Sequence, residues 1–249
     1  MTPALAICQP YYKNPGMLAE QYRVWAAYPE AAKAQLEVVL VDDASPLPAA
    51  DVPRPEGLPA LRIYRVKKDV PWHQHGARNL AAKEAAAPWL LLTDMDHVLP
   101  SHTLEALLAL VARTSNDTVY TFHRLDAPLL TPTRDDRGNL KPHVNSFAIH
   151  RGHYWAIGGY DEDCVGYGTD SYFRTRMKAA SRMKHLVDLA LIRYPREVVP
   201  DASGSSPGMD PRAFRNAGRR TAETRRRLQA KAARKLPPTV LAFEWERVV

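Results

Sequence analysis

Cysteine is nearly absent: the 249 residues contain two, Cys8 and Cys164, and neither has the spacing of a metal knuckle or a redox pair. A disulfide framework and a cysteine-based zinc site are therefore excluded as organising devices, and both thiols suit reduced, packed positions. No run approaches the roughly 20 apolar residues of a membrane span, and the N-terminus shows neither a basic lead nor the apolar stretch of about 7–15 residues that marks a secretory leader. The expected location is cytoplasmic, at most peripheral to a membrane. No internal repeat is present, which removes solenoids and propellers. A glycine-rich phosphate loop followed by Lys or Arg is also missing near the first apolar run, which weighs against a nucleotidyltransferase.

What remains is ordinary in amount. Hydrophobic residues make up 45% and charged residues 24%, enough for one well-buried α/β core, with or without an appended lobe. The charge is unevenly placed. Of the net +7, the segment Arg212 to Lys235 alone carries ten Lys or Arg against one Glu, a local +9, so the rest of the chain carries −2. Basicity thus belongs to a dedicated tail suited to an anionic membrane surface or nucleic acid. Its apolar positions Phe214, Ala217, Leu228 and Ala232 are too sparse for deep insertion.

Apolar runs closed by polar turns predict strands at Ala4–Cys8, Leu36–Val41, Leu61–Val66, Trp89–Thr93 and Thr118–His123, with helices at Leu18–Lys33, His75–Ala87 and Ser101–Ala112, the last capped by Ser101. Alternation of this kind predicts a mostly parallel Rossmann-like sheet with helices on both faces, which binds ligands beyond the carboxyl ends of its strands. Pro10-Tyr11, Asp43 and Asp94 all fall at such ends. Leu125 to Pro142 reads as a mobile loop. Beyond it, Ser146–His150 and Leu186–Tyr194 read as strands and Asp170–Ala180 as a helix. The expected division is a domain over 1–205, with a nucleotide half at 1–124 and an acceptor half at 143–205, then a basic helical extension over 206–249.

Asp94-Met95-Asp96 leaves the run Trp-Leu-Leu-Leu-Thr. Two carboxylates spaced this way bring one oxygen to a hard cation, Mn2+ or Mg2+, while the other meets a ribose or a metal-bound water.

Together these strings resemble glycosyltransferase family 2, with its galactosyltransferase-like branch, over roughly Ala4 to Ala202. The matching pieces are Pro10-Tyr11-Tyr12, Val41-Asp42-Asp43-Ala44-Ser45, Ala77-Arg78-Asn79 and Asp94-Met95-Asp96, followed by Gly158-Gly159-Tyr160-Asp161-Glu162 and Gly166-Tyr167-Gly168-Thr169-Asp170. Tyr167 stands where the family usually has Trp, and Thr169 where Glu is common. The resemblance implies a GT-A fold and a nucleotide-sugar donor, most simply a UDP-sugar. Pro10, Tyr11, Asp43, Arg78 and Asp94 would bind the nucleotide, and Asp94 and Asp96 the metal with His185 as a third ligand. Trp155, Gly159, Asp161 and Glu162 would face the sugar or acceptor.

Asp170 aligns with the catalytic base when counted back from Arg176, and Ser171 when counted forward from Gly166; a hydroxyl is the poorer base. A carboxylate base implies single displacement with inversion. The acceptor is expected among saccharides, lipid-linked glycans and proteins. Two competing readings are a catalytically silent carbohydrate- or nucleotide-binding protein and a transferase acting on modified nucleic acid.

Overall fold

A computed structural model describes residues 2–70, 73–164, 169–202, 222–231 and 233–249. Gly166, Tyr167, Gly168, Phe214, Ala217 and Ala232 lie outside them, as does the rest of the basic tail before residue 222.

Four parallel strands form the centre: β1 (Leu5–Tyr11), β2 (Leu36–Asp42), β3 (Ala60–Val66) and β4 (Trp89–Leu92), in the spatial order β3-β2-β1-β4. The chain moves outward from β1 to β3, then returns to the other side of β1, so the order reverses between β1 and β4. A crevice opens at such a reversal beyond the carboxyl ends of the strands. Past β4 the sheet becomes mixed. The strands β8 (Pro142–His150), β6 (Thr118–Asp126), β9 (Arg182–Arg193) and the short β5 (His97–Val98) extend it, and β7 (Thr131–Pro132) pairs with β6. At the opposite edge β10 (Trp245–Arg247) pairs antiparallel with β3.

Every residue of β1, β2 and β4 is buried, which explains their continuous rather than alternating apolar pattern. Alternate side chains serve different faces. Leu5, Ile7 and Tyr11 meet α1 (Pro15–Ala26) and α4 (Ser101–Val111), while Ala6 and Cys8 meet the alanines of α3 (Gln74–Glu84) and the aromatic cluster of Tyr154, Tyr160 and Phe173. Small residues on both sides let α3 lie close to the sheet. Each large aliphatic side chain buried this way contributes about 1.5–3 kcal/mol. Both cysteines are free and buried, and burial pushes each thiol above its usual range.

Several boundaries differ from the sequence reading. The helix expected over Leu18–Lys33 is two, α1 and α2 (Glu30–Lys33), because Pro29 between them has no N–H to continue the ladder and instead caps the second. Pro100 occupies the N-cap of α4, and the Ser101 hydroxyl donates to Glu105 rather than to the backbone. The segment read as a loop from Leu125 to Pro142 is a hairpin built from the end of β6, β7 and the start of β8. In the tail, residues 222–231 are helical. Residues 239–249 rejoin the domain, with β10 as part of the sheet.

Candidate active site

Asp42 and Asp43 end β2 and divide the work. Asp42 is structural: its carboxylate accepts from Ser45 N (2.7 Å), Ala49 N (2.8 Å) and Arg65 Nη1 (2.7 Å), fixing the turn in which Ala44 takes a positive φ. Asp43 turns to the crevice, where its Oδ1 lies 3.2 Å from His73 Nδ1. Burial pushes its pKa up against the pull of His73. Beside it, Pro10 is buried in β1 in register with Val41. Tyr11 belongs to the core, its hydroxyl donating to Leu47 O at 2.8 Å. Tyr12 is the partly exposed aromatic at this edge.

α3 is the hub. Arg78 is fully buried, and its guanidinium donates to Asp94 Oδ1 (2.5 Å) and to the Tyr160 hydroxyl (2.9 Å). Gln74 Nε2 adds a second donor to Asp94 Oδ1 at 2.7 Å. One residue on, His75 Nε2 lies 3.1 Å from Asp170 Oδ1, with its ring stacked on Tyr160 at 4.7 Å. A single helix therefore ties the carboxylate leaving β4 to the one that opens α6 (Asp170–Ala180). Burial works to raise the Asp170 pKa. The hydrogen bond and charge of His75, with Arg78 and a hydrogen bond from Asn145, overcome it and hold the carboxyl down to about 2. Ser171, the alternative, is exposed.

The turn after β4 is set by a residue that no motif announced. Gln21, buried on α1, donates from Nε2 to both Met95 O and His97 O at 2.8 Å. Within that turn Asp96 Oδ1 lies 2.7 Å from His97 Nδ1, and its Oδ2 lies 3.8 Å from Arg193 Nε. His97 Nε2 is then buried without a hydrogen-bond partner among the described residues. His143, at the start of β8, lies against His97 with ring centroids 4.0 Å apart and planes tilted by 30°. Its Nδ1 is tied to Ser146 Oγ (2.9 Å), and its Nε2 lies 3.9 Å from Asp94 Oδ2.

Burial and the neighbouring His97 hold His143 down to about 2, so the imidazole is neutral. Among the described residues Asp94, His97 and His143 form a group whose ligating atoms all lie within 4.8 Å of one another. Each histidine presents Nε2 with Nδ1 oriented by a partner, the usual arrangement behind a metal ligand. His185, on β9, is not in this group: its Nδ1 lies 3.2 Å from Thr121 Oγ1 and its ring faces His123.

The Gly-Gly-Tyr turn is stapled to α3 by Asn79. Its Oδ1 accepts from Tyr160 N (2.9 Å) and the Tyr154 hydroxyl, and its Nδ2 donates to Tyr160 O (2.9 Å) and Glu162 Oε1 (2.8 Å). Gly159 has φ +62°, and a Cβ there would sit 2.9 Å from Asn79 Oδ1 and 3.0 Å from Trp155, so glycine is required twice over. Asp161 is filled by Lys231 Nζ and Thr239 N, and Glu162 by Asn79, Leu241 N and Ala242 N. Trp155, on α5 (Arg151–Ala156), lines a cleft with Pro88 and His150. His150 pairs with Trp89 at the amino end of β4, so this cleft opens away from Asp94.

A reversal crevice edged by acidic turns, with a mixed extension beyond it, is the architecture of the GT-A glycosyltransferases. The chain belongs to glycosyl transferase family 2, whose model matches residues 18–173. The fold is similar to that of S. aureus TarS 1-349 (TM-score 0.60, 17% identity, 80% of this chain and 63% of that one). It is also similar to the same TarS fragment in complex with UDP-GlcNAc (0.59, 16%, 81% and 61%), and to GalNAc-T7 with UDP, GalNAc and Mn2+ (0.58, 13%, 78% and 44%). The chain spans less than two thirds of the length of each. A comparison with curated proteins gave no match. Among the described residues no helix is long and apolar enough to cross a membrane.

Proposed function

We propose that this protein transfers a sugar from a UDP-sugar to an acceptor hydroxyl with inversion at the anomeric carbon. The observation that carries the reading is the joining of Asp94 and Asp170 through one helix beside the reversal point. In this reading Tyr12 offers a face to the base, Asp43 receives ribose hydroxyls, and Asp94, His97 and His143 hold a divalent metal. Asp96 orients His97. Two imidazoles make a poor cage for Mg2+, which favours oxygen ligands, so Mn2+ is the better fit. When bound, such a cation neutralises charge on the departing diphosphate.

Asp170 takes the acceptor proton as the hydroxyl oxygen bonds to the anomeric carbon and the carbon–oxygen bond to the diphosphate breaks. With so low a pKa it is ionised across the physiological range, and it accepts the proton as attack makes the hydroxyl acidic. Asp161, Glu162 and Gly159 shape the turn that carries Tyr160. The exposed Arg225, Arg226 and Arg227 suit an anionic membrane surface or nucleic acid, through contacts that weaken with salt.

The test is thermal unfolding against a panel of nucleotide sugars with and without Mn2+. A ligand at 100 times its Kd stabilises by about 2.7 kcal/mol, roughly 5–10 °C for a chain of this size. The shift should require Mn2+ and UDP together and vanish in D94A. Equal shifts in wild type and D94A would overturn the site.

A further inference from the structure

Residues 239–249 lie outside the segment matched to the family, residues 18–173, yet they cross the donor side of the site. Leu241 N and Ala242 N donate to Glu162 at 2.6 and 3.0 Å, Lys67 N donates to Glu244 O at 3.0 Å, and β10 then pairs with β3. Between these two anchorages Phe243 meets the His73 ring edge-on, with centroids 4.4 Å apart and planes at 85°. The same imidazole contacts Asp43 Oδ1. Gly76, in the first turn of α3, makes room for both rings: a Cβ there would lie 2.3 Å from His73 Cε1 and 2.8 Å from Phe243 Cε1.

We propose that Phe243 is a positioning residue for the donor site: it fixes the His73 ring, which holds the Asp43 carboxylate in the orientation that receives the ribose hydroxyls of a nucleoside diphosphate. The inference rests on the reading of Asp43 as a donor contact. A buried carboxylate needs an oriented partner, and His73 has rotamer freedom that the flat phenyl ring removes before the ligand arrives. The strap thus acts on affinity through a contact made without the ligand.

Calorimetric titration of the full chain with UDP and with 2′,3′-dideoxy-UDP, both in Mn2+, tests this in wild type, F243A, F243L, H73A and F243A/H73A. F243A should weaken UDP about tenfold, the loss expected for one displaced charge-assisted hydrogen bond, and should reduce the preference for UDP over the dideoxy analogue. Because Phe243 acts through His73, the double variant should bind no worse than H73A. F243L, which refills most of the volume, should regain thermal stability without regaining that preference, a result that lost packing alone would not give. Unchanged UDP preference in F243A and F243L, or losses that multiply in the double variant, would overturn the proposal. A wild-type protein with no affinity for UDP would overturn the donor reading itself and this inference with it.

Discussion

Asp170 combines burial with a low pKa, and the combination has a thermodynamic signature. The group ionises more readily in the folded protein, at about 2 against an ordinary 3.8, so its stabilisation is complete above pH 4 and is lost as pH falls toward 2. The magnitude is on the order of 2 kcal/mol. D170N should lack that step in an acid-unfolding profile followed by circular dichroism. In the proposed reaction the same variant should lose about a thousandfold in kcat while binding UDP as wild type does, since general-base removal costs about 10²–10⁴. Gly159 makes a second case. In G159A the positive φ and the approach of Asn79 Oδ1 should together cost about 2–4 kcal/mol, read from the urea midpoint.

Between elements, one side chain does what a loop sequence alone does not. Gln21 reaches from α1 to two carbonyls of the turn after β4. Replacing it with the near-isosteric methionine should leave the fold intact and weaken Mn2+ binding about tenfold, as removal of an orienting partner does elsewhere; titration monitored by electron spin resonance would show it. Such contacts also mark the limit of what a linear reading yields. The buried strands were legible because burial on both faces leaves an unbroken Val/Leu pattern, and the acidic turns were legible because they follow those strands. Ala77-Arg78-Asn79 was found as a unit, yet its contacts were not: Arg78 backs Asp94 and Asn79 staples the Gly159 turn, choices made by packing of α3 against a distant cluster of aromatics. His97 and His143 come together only when β8 folds back beside β4, and no spacing encodes that. The sequence reading took its nitrogen ligand from His185, which lies on β9 outside this group.

At the scale of the molecule, the acidic turn Asp161-Glu162-Asp163 is the junction between the domain and its tail. Lys231 bridges Asp161 and Asp163, and Glu162 receives the backbone of residues 241 and 242. E162A leaves the amides of Leu241 and Ala242 and the buried Asn79 Nδ2 short of an acceptor, which should destabilise by about 1–3 kcal/mol. Limited proteolysis should then cut between residues 233 and 244 faster than in wild type. Residues 239–249 are therefore part of the domain's structure.

Pairing of β10 with β3 joins positions some 180 residues apart. During synthesis the β3 margin must wait, its amide row bare, until the residues of β10 have been made. Strand margins left open in this way invite intermolecular pairing, so nascent chains of this protein should depend on chaperone shielding until the final strand docks.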